Sequence, residues 1–396
     1  MNKTESVAII GGCGHVGLPL GLSFARAGLE VKLYDINQES IRRLMEGKVP
    51  FVEEGAEELL RAHMGKNLSA SSDPAVLSTV DTVICVIGTP IDEHLNPKLD
   101  SLLDQITKLR PYLRARQLFV LRSTVYPGAT KKVHAYLQEN VPGIDVAFCP
   151  ERVVQGLALK EIQSHPQIVS GIGEQAIARA RALFAHIAPQ TVDLTPLEAE
   201  LGKLFCNAWR YITFAVANQL YAVCAENDID YYSIWNAITE GYPRMKSLPK
   251  AGFAAGPCLL KDTMQLASFF PNYFPLGQAA MLVNESLPNI LVRQLQARFE
   301  LPKLTVGVLG MAFKGDNDDI RESLAFKLKK LLRIECKQVL CTDPFVKGDG
   351  IVPLDEVLQK AQVLVIAAPH TAYKSLKPTQ PVLDPWNHLG HGGLIT

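Results

Sequence analysis

The chain has 396 residues, too many for one ordinary hydrophobic core, so two or three domains are expected. Its 40 basic and 40 acidic residues cancel, and neither a basic stripe nor a polybasic tail is present, which excludes the charge-driven binders of nucleic acid and membrane surfaces. The 8 cysteines are scattered, with no Cys-x-x-Cys pair and no His/Cys cluster at zinc spacing; they read as reduced thiols of a cytoplasmic chain with no metal site.

The N-terminus runs almost at once into the strand-like Val7-Ala-Ile-Ile10, with no apolar stretch long enough for a signal peptide or a membrane span. That run meets Gly12-x-Gly14-x-x-Gly17. The next segment, Leu18 to Ala27, reads as a helix stopped by Gly28, and a second strand from Glu30 to Tyr34 ends at Asp35. Strand, glycine turn, helix, strand and terminal acid together form a dinucleotide-binding unit. Its turn, Gly12, Gly14, His15, Val16 and Gly17, brings a pyrophosphate to a helix N-terminus. Asp35 stands 18 residues after Gly17, where an acid meets a ribose 2′-hydroxyl and repels a 2′-phosphate, so NAD is expected rather than NADP. Further buried strands within Asp81 to Pro90, Gln117 to Val125 and Asp145 to Arg152 leave Thr89, Ser123, Thr124 and Glu151 at their carboxyl ends. Ligands of open parallel sheets lie there.

Thr195-Pro-Leu-Glu198 is a helix start, with Thr195 as N-cap, Pro196 in the first position and Glu198 closing the capping box. The helix that follows extends to about Asn227. Lys203 and Asn207 share a face of it, and the apolar residues around them (Leu201, Leu204, Phe205, Ala208, Trp209, Ile212, Phe214) predict a largely buried helix. Further on, Phe253-Ala-Ala-Gly-Pro-Cys-Leu-Leu-Lys-Asp262 places Pro257 at a helix start and Cys258 in the first turn. The free N–H groups and the dipole there favour a thiolate. Asp262 shares that helix face. After more helix, Leu304 to Gly310 is again a strand running into a glycine turn, followed by a helix, a strand ending in Asp343 and a buried strand within Ala361 to Pro369. This order repeats the N-terminal half without the full three-glycine fingerprint, so the second sheet domain need not bind NAD. Lys314 and Arg321, in the polar stretch after its glycine turn, suit phosphates or internal salt bridges.

Taken together, these residues resemble the nucleotide-sugar dehydrogenases of the UDP-glucose/GDP-mannose dehydrogenase superfamily. The resemblance rests on the glycine fingerprint with Asp35, Gly88-Thr-Pro90, Ser123-Thr-Val125, Pro150-Glu-Arg152, Lys203 with Asn207, Gly256-Pro-Cys-Leu-Leu-Lys-Asp262, and Gly310-Met-Ala-Phe-Lys314 through Asp319-Ile-Arg-Glu-Ser323. It implies an α/β protein of three domains: an N-terminal doubly wound Rossmann-type domain (1–194), a central all-helical dimerisation domain (195–300) and a smaller C-terminal Rossmann-like domain for the UDP-sugar (301–396). Cys149-Pro-Glu-Arg152, His165 to Val169 and Gly241-Tyr-Pro-Arg244 are similar to the branch acting on UDP-N-acetylhexosamines, N-acetylmannosamine first and N-acetylglucosamine next. The UDP-glucose and GDP-mannose branches usually carry Phe where Arg152 stands. Ala254-Ala255 departs from the paired glycine that members usually carry before the nucleophile.

The resemblance also implies a reaction, four-electron oxidation of a sugar C6 alcohol to a carboxylate, and roles for residues. Cys258 is the nucleophile, Lys203 and Asn207 stabilise oxyanions, and Asp262 and Glu151 with Thr124 handle water. Arg244, Lys314, Glu151, Arg152 and Gly256 meet the UDP-sugar, and Arg321 the cofactor side. A homodimer through the central helices, with Arg244 reaching the partner's site, is implied as well. Two other readings compete: a two-electron β-hydroxyacid dehydrogenase, which lacks a use for Cys258, and a non-catalytic binder of nucleotide-sugar and NAD.

Overall fold

A computed structural model describes residues 5–89, 91, 92 and 98–395. Pro90 of the Gly88-Thr-Pro90 motif lies outside the described residues. The chain divides into two units, Met1–Cys206 and Asn207–Thr396. No helix among the described residues is long and apolar enough to cross a membrane.

The first unit is built on eight strands: β1 (Ser6–Ile10), β2 (Glu30–Tyr34), β3 (Leu68–Ser71), β4 (Thr82–Cys85), β5 (Leu118–Leu121), β6 (Asp145–Phe148), β7 (Gln167–Gly171) and β8 (Thr191–Asp193). They lie in the order β3-β2-β1-β4-β5-β6-β7-β8. Among the described residues every pairing of these strands is parallel except β6 with β7. The apolar runs are near-continuous because the sheet is covered on both faces. Val7 and Ile9 pack with Leu18, Leu22 and Phe24 on one side, while Ala8 and Ile10 pack with Val83, Phe119 and Leu121 on the other. Strand order reverses between β1 and β4, so the crevice for a ligand opens at their carboxyl ends.

The second unit carries a four-stranded parallel sheet, β9 (Thr305–Leu309), β10 (Gln338–Thr342), β11 (Val363–Ile366) and β12 (Val382–Leu383), in the order β10-β9-β11-β12. Before it come helices at Tyr231–Thr239, Leu259–Phe269 and Pro275–Arg298. Asp230 caps the first of these by accepting from the N–H groups of Tyr232 and Ser233.

The long helix Pro196–Glu226 has 31 residues and starts at the expected capping box. The Thr195 hydroxyl lies 2.7 Å from Glu198 Oε2, which also accepts the Thr195 N–H at 2.8 Å. Its expected deep burial is corrected. Leu204, Ala208, Tyr211, Ala215 and Tyr221 form a buried stripe, but Phe205 is 54% and Trp209 64% exposed, with Val216, Leu220 and Val223 exposed beside them. The helix carries two apolar stripes at helical spacing, and one chain buries one of them.

Candidate active site

In the first unit the glycine turn separates packing from binding. A Cβ on Gly12 would lie 2.8 Å from the Ile9 carbonyl oxygen and from Leu33 Cα, and one on Gly17 would lie 2.4 Å from the Gly11 carbonyl oxygen. Gly14 differs. The nearest atom to its Cβ position is 3.6 Å away, an ordinary contact, so the protein itself tolerates a side chain there. Its bareness keeps open the space over the N-terminus of the helix Gly17–Arg26, which no side chain caps. That is the cradle a pyrophosphate requires. His15 stacks on Phe51 with ring centres 4.1 Å apart, and Val16 is the residue before the helix. Asp35 closes the turn. One of its oxygens accepts the Cys13 N–H and the other the Asn37 N–H, both at 3.0 Å. Burial, aided by Asp35, raises the Cys13 thiol to about 12, so it is a neutral packing group.

Thr89, Ser123, Thr124 and Glu151 follow the adjacent strands β4, β5 and β6, as expected. The Thr89 hydroxyl donates to the Thr124 carbonyl at 2.6 Å, tying two of these ends together. Glu151 faces Lys203 at 3.7 Å, and both side chains are largely buried. The long helix is anchored nearby through Glu200, whose carboxylate accepts from the N–H groups of Gly128 and Thr130 at 2.6 and 2.8 Å. Arg152 does not face this group; its guanidinium donates to the Pro166 carbonyl.

In the second unit the helix expected to carry Cys258 in its first turn begins at Leu259, later than expected. Pro257 lies outside it, and Cys258 is its N-cap rather than part of the first turn. The preceding segment explains the delay. The Asn218 side chain clamps Gly252, accepting its N–H at 2.8 Å and donating to its carbonyl at 3.0 Å. Asn284 accepts from Asn218 at 2.9 Å and donates to the Tyr211 carbonyl at 3.0 Å. Gly256 then turns at φ +101° with its N–H directed at the Glu322 carbonyl, and a Cβ there would lie 2.6 Å from the Phe313 ring. The chain therefore reaches Pro257 already committed to a tertiary path. Cys258 still stands at the positive end of the helix dipole. Its carbonyl accepts the Asp262 N–H at 2.8 Å, and its thiol is exposed.

One turn further, Asp262 is fully buried. It accepts from Asn207 Nδ2 at 2.5 Å and pairs with Lys261 at 2.6 Å. Lys261 went unread in the sequence although it adjoins Asp262 in the same motif. Arg321 is committed to Asp319, whose carboxylate accepts two bonds from Nε, at 2.9 and 3.0 Å, and one from an Nη at 2.6 Å. Those bonds raise its proton affinity, and the field of Cys258 contributes in the same sense. Lys314 lies half-buried on the same loop, whereas Arg244 is exposed on the short turn Pro243–Met245, with the Tyr242 hydroxyl 3.4 Å from it.

Comparisons with known proteins give the family of the chain. Residues 5–188 match the NAD-binding domain of the UDP-glucose/GDP-mannose dehydrogenase family, residues 197–286 its central domain and residues 307–390 its UDP-binding domain. A UDP-N-acetyl-D-mannosamine dehydrogenase from Pyrococcus horikoshii is 30% identical over 384 residues, covering 93% of this chain and 90% of the relative. The structure of a UDP-D-ManNAc dehydrogenase from the same organism superposes with a TM-score of 0.89 at 26% identity, covering 97% of this chain and 96% of the other. A UDP-glucose dehydrogenase from Pyrobaculum islandicum superposes with a TM-score of 0.88, also at 26% identity, covering 97% and 94%. The chain belongs to the UDP-glucose/GDP-mannose dehydrogenase family: it is an NAD-binding nucleotide-sugar dehydrogenase with an N-terminal NAD-binding domain, a central helical domain and a C-terminal UDP-binding domain.

Proposed function

We propose that this enzyme oxidises the C6 hydroxyl of a UDP-N-acetylhexosamine, N-acetylmannosamine first, to the carboxylate through a thioester on Cys258. One observation carries the proposal: an exposed thiol at a helix N-terminus stands one turn from a fully buried carboxylate fixed by Asn207 and Lys261. A simple alcohol dehydrogenase has no use for that pair. The acetamido sugar is supported by the name of the Pyrococcus relative. The Pyrobaculum structure keeps UDP-glucose as the second reading.

When bound, NAD supplies the hydride acceptor for both oxidations. Lys203 takes the alcohol proton in the first. Cys258 then adds as thiolate to the aldehyde carbon and creates a tetrahedral adduct from which hydride can leave. Lys203 and Asn207 donate hydrogen bonds to the oxyanion on that carbon. Glu151, Thr124 and Asp262 orient and deprotonate the water that opens the thioester. Gly12, Gly14, His15, Val16, Gly17 and Asp35 hold the cofactor, with Thr89, Ser123 and Arg321 on its side. Arg152, Arg244, Gly256 and Lys314 hold the UDP-sugar. Domain boundaries at 194/195 and 300/301 fit the spacing of the three family segments. The second apolar stripe of the long helix, Phe205, Trp209, Val216, Leu220 and Val223, is assigned to a second copy of the chain in a homodimer.

A panel of UDP- and GDP-sugars, scored as NADH formed per sugar consumed, tests the reading. Two NADH per UDP-N-acetylhexosamine are expected, with Cys258→Ser releasing no carboxylate. One NADH per sugar, or full acid output from Cys258→Ser, removes the thioester route. Faster turnover of UDP-glucose than of any acetamido sugar moves the substrate to the second reading.

A further inference from the structure

The stretch from Gly310 to Ser323 runs as a loop of turns and bends between β9 and the helix Leu324–Glu335, and it carries Lys314. A loop of that kind takes its shape from the groups its backbone meets. Near its start the N–H groups of Met311 and Ala312 donate to Asp343, the acid that follows β10. Five residues on, the Asp316 N–H donates to Nδ1 of His370 at 2.9 Å, and the other ring nitrogen, Nε2, faces Asp343 at 3.1 Å. An amide N–H only donates, so Nδ1 is the acceptor and the ring N–H on Nε2 points at the carboxylate. One imidazole thus joins the two ends of the segment Met311–Asp316 through a shared acid.

The ring is itself held in place. His370 is fully buried, Phe345 and Tyr373 flank it with ring centres 5.3 and 5.5 Å away, and its carbonyl accepts from His388 Nε2 at 2.8 Å. Thr371 grips the same turn of the loop: its N–H donates to Asp316 Oδ1 at 2.8 Å and its hydroxyl to Oδ2. Asp316 stands at φ +52°, and a Cβ on Gly315 would lie 2.4 Å from the Pro369 carbonyl oxygen. A residue other than glycine keeps such a conformation where its surroundings hold it there. Here the surroundings are the corner Pro369-His370-Thr371. Asp343 has its second oxygen on the N–H groups of Phe345 and Val346, so both oxygens are committed inside the domain.

We propose that His370 is a positioning residue for the nucleotide-sugar: by tying Asp316 to Asp343 it holds the segment Met311–Asp316 in the shape that presents Lys314 to the UDP group. This rests on Lys314 meeting the UDP-sugar, as proposed above. A loop already held in its bound shape loses less freedom when the ligand arrives, so the tie acts on affinity rather than on the chemical step.

Steady-state kinetics at saturating NAD with the fastest sugar of the panel, together with calorimetric titration of UDP, tests this. His370→Gln keeps a donor for Asp343 and loses the acceptor for Asp316. It raises KM for the sugar and Kd for UDP about tenfold, the scale of one lost hydrogen bond, and leaves kcat within about twofold of the parent. KM for NAD is unchanged. His370→Asn puts an amide oxygen where Nδ1 stood and gives up the bond to Asp343. It recovers most of the affinity for sugar and UDP. A role in stability alone predicts the reverse order, because His370→Asn removes the partner of a buried carboxylate. Should His370→Gln fail to fold, Asp316→Gly decides: it allows the same turn, removes the grip of Thr371 and raises the same two constants. Unchanged constants in a folded variant, or a greater loss in His370→Asn than in His370→Gln, overturn the proposal and leave His370 a scaffold residue. Lys314→Ala separates the two levels. If it raises KM while the His370 variants do not, only the role of His370 fails; if it leaves KM unchanged, the contact of Lys314 fails and the role of His370 with it.

Discussion

Asp343 ends its strand as Asp35 ends β2, and the sequence shows the two as equivalents. Their surroundings separate them. Asp343 is buried, and one oxygen accepts from the N–H groups of Met311 and Ala312 at 2.6 and 3.0 Å and faces His370 at 3.1 Å. The other accepts from the N–H groups of Phe345 and Val346 at 2.8 and 2.9 Å. Burial pushes this carboxyl up, but the bond from His370 and the backbone N–H groups more than offset it, and it sits well below the usual carboxylate range. A depressed carboxyl contributes stability at pH values above its unfolded pKa of about 3.9, and the contribution is lost as pH falls through and below that value. Asp343→Asn should therefore cost about 3 kcal/mol near neutral pH. The gap to the parent chain should narrow on acidification below about pH 4. Urea unfolding of both proteins at the two pH values measures this, and a constant gap removes the ionised carboxylate from the account. His370 was not legible in the sequence, because its partner is 27 positions away and only the fold brings them together.

Helices and strands with strong local signals were legible almost to the residue. Glu30–Tyr34 matches its expected span, and the long helix starts at its capping box and ends at Glu226. The start of the helix after Cys258 was not, because Asn218, Asn284 and Phe313 act on it from distant positions, and local preference for proline in a first turn yields to them. Burial of the long helix was misjudged for a related reason: apolar residues on all sides show that a helix will be covered, without showing by what. That element carries its own prediction. Trp209→Glu puts a charge in the middle of the exposed stripe and should convert the proposed dimer to monomer in sedimentation at micromolar concentration. Unchanged sedimentation places the contact between copies elsewhere.

At the scale of the whole molecule, the doubly wound character of the sheet domains and both glycine turns followed from the alternation of strand, turn and helix, whereas the strand order and the antiparallel β6–β7 pairing did not. The three family segments then fix the ligand classes: NAD on residues 5–188 and UDP on residues 307–390. Ligands that bind only the folded protein raise its stability by mass action. NAD at about a hundred times its dissociation constant should add about 2.7 kcal/mol to unfolding of the first sheet domain, and UDP at the same saturation a similar amount to the last. Calorimetry with each ligand alone measures the two effects. UDP that still protects fully after Lys314→Ala removes that lysine from the nucleotide contacts.

The double duty of Asp35 bears on how this enzyme can be altered. Both of its oxygens already accept backbone N–H groups from the turn and from the residue after next, so it braces the fingerprint in addition to the cofactor contact proposed for it. Replacing it to admit a 2′-phosphate would unpin Cys13 and Asn37 at the same stroke. Coenzyme exchange in this chain is therefore a two-part redesign: a new anion contact must be added, and the lost brace must be supplied by another acceptor in the same turn.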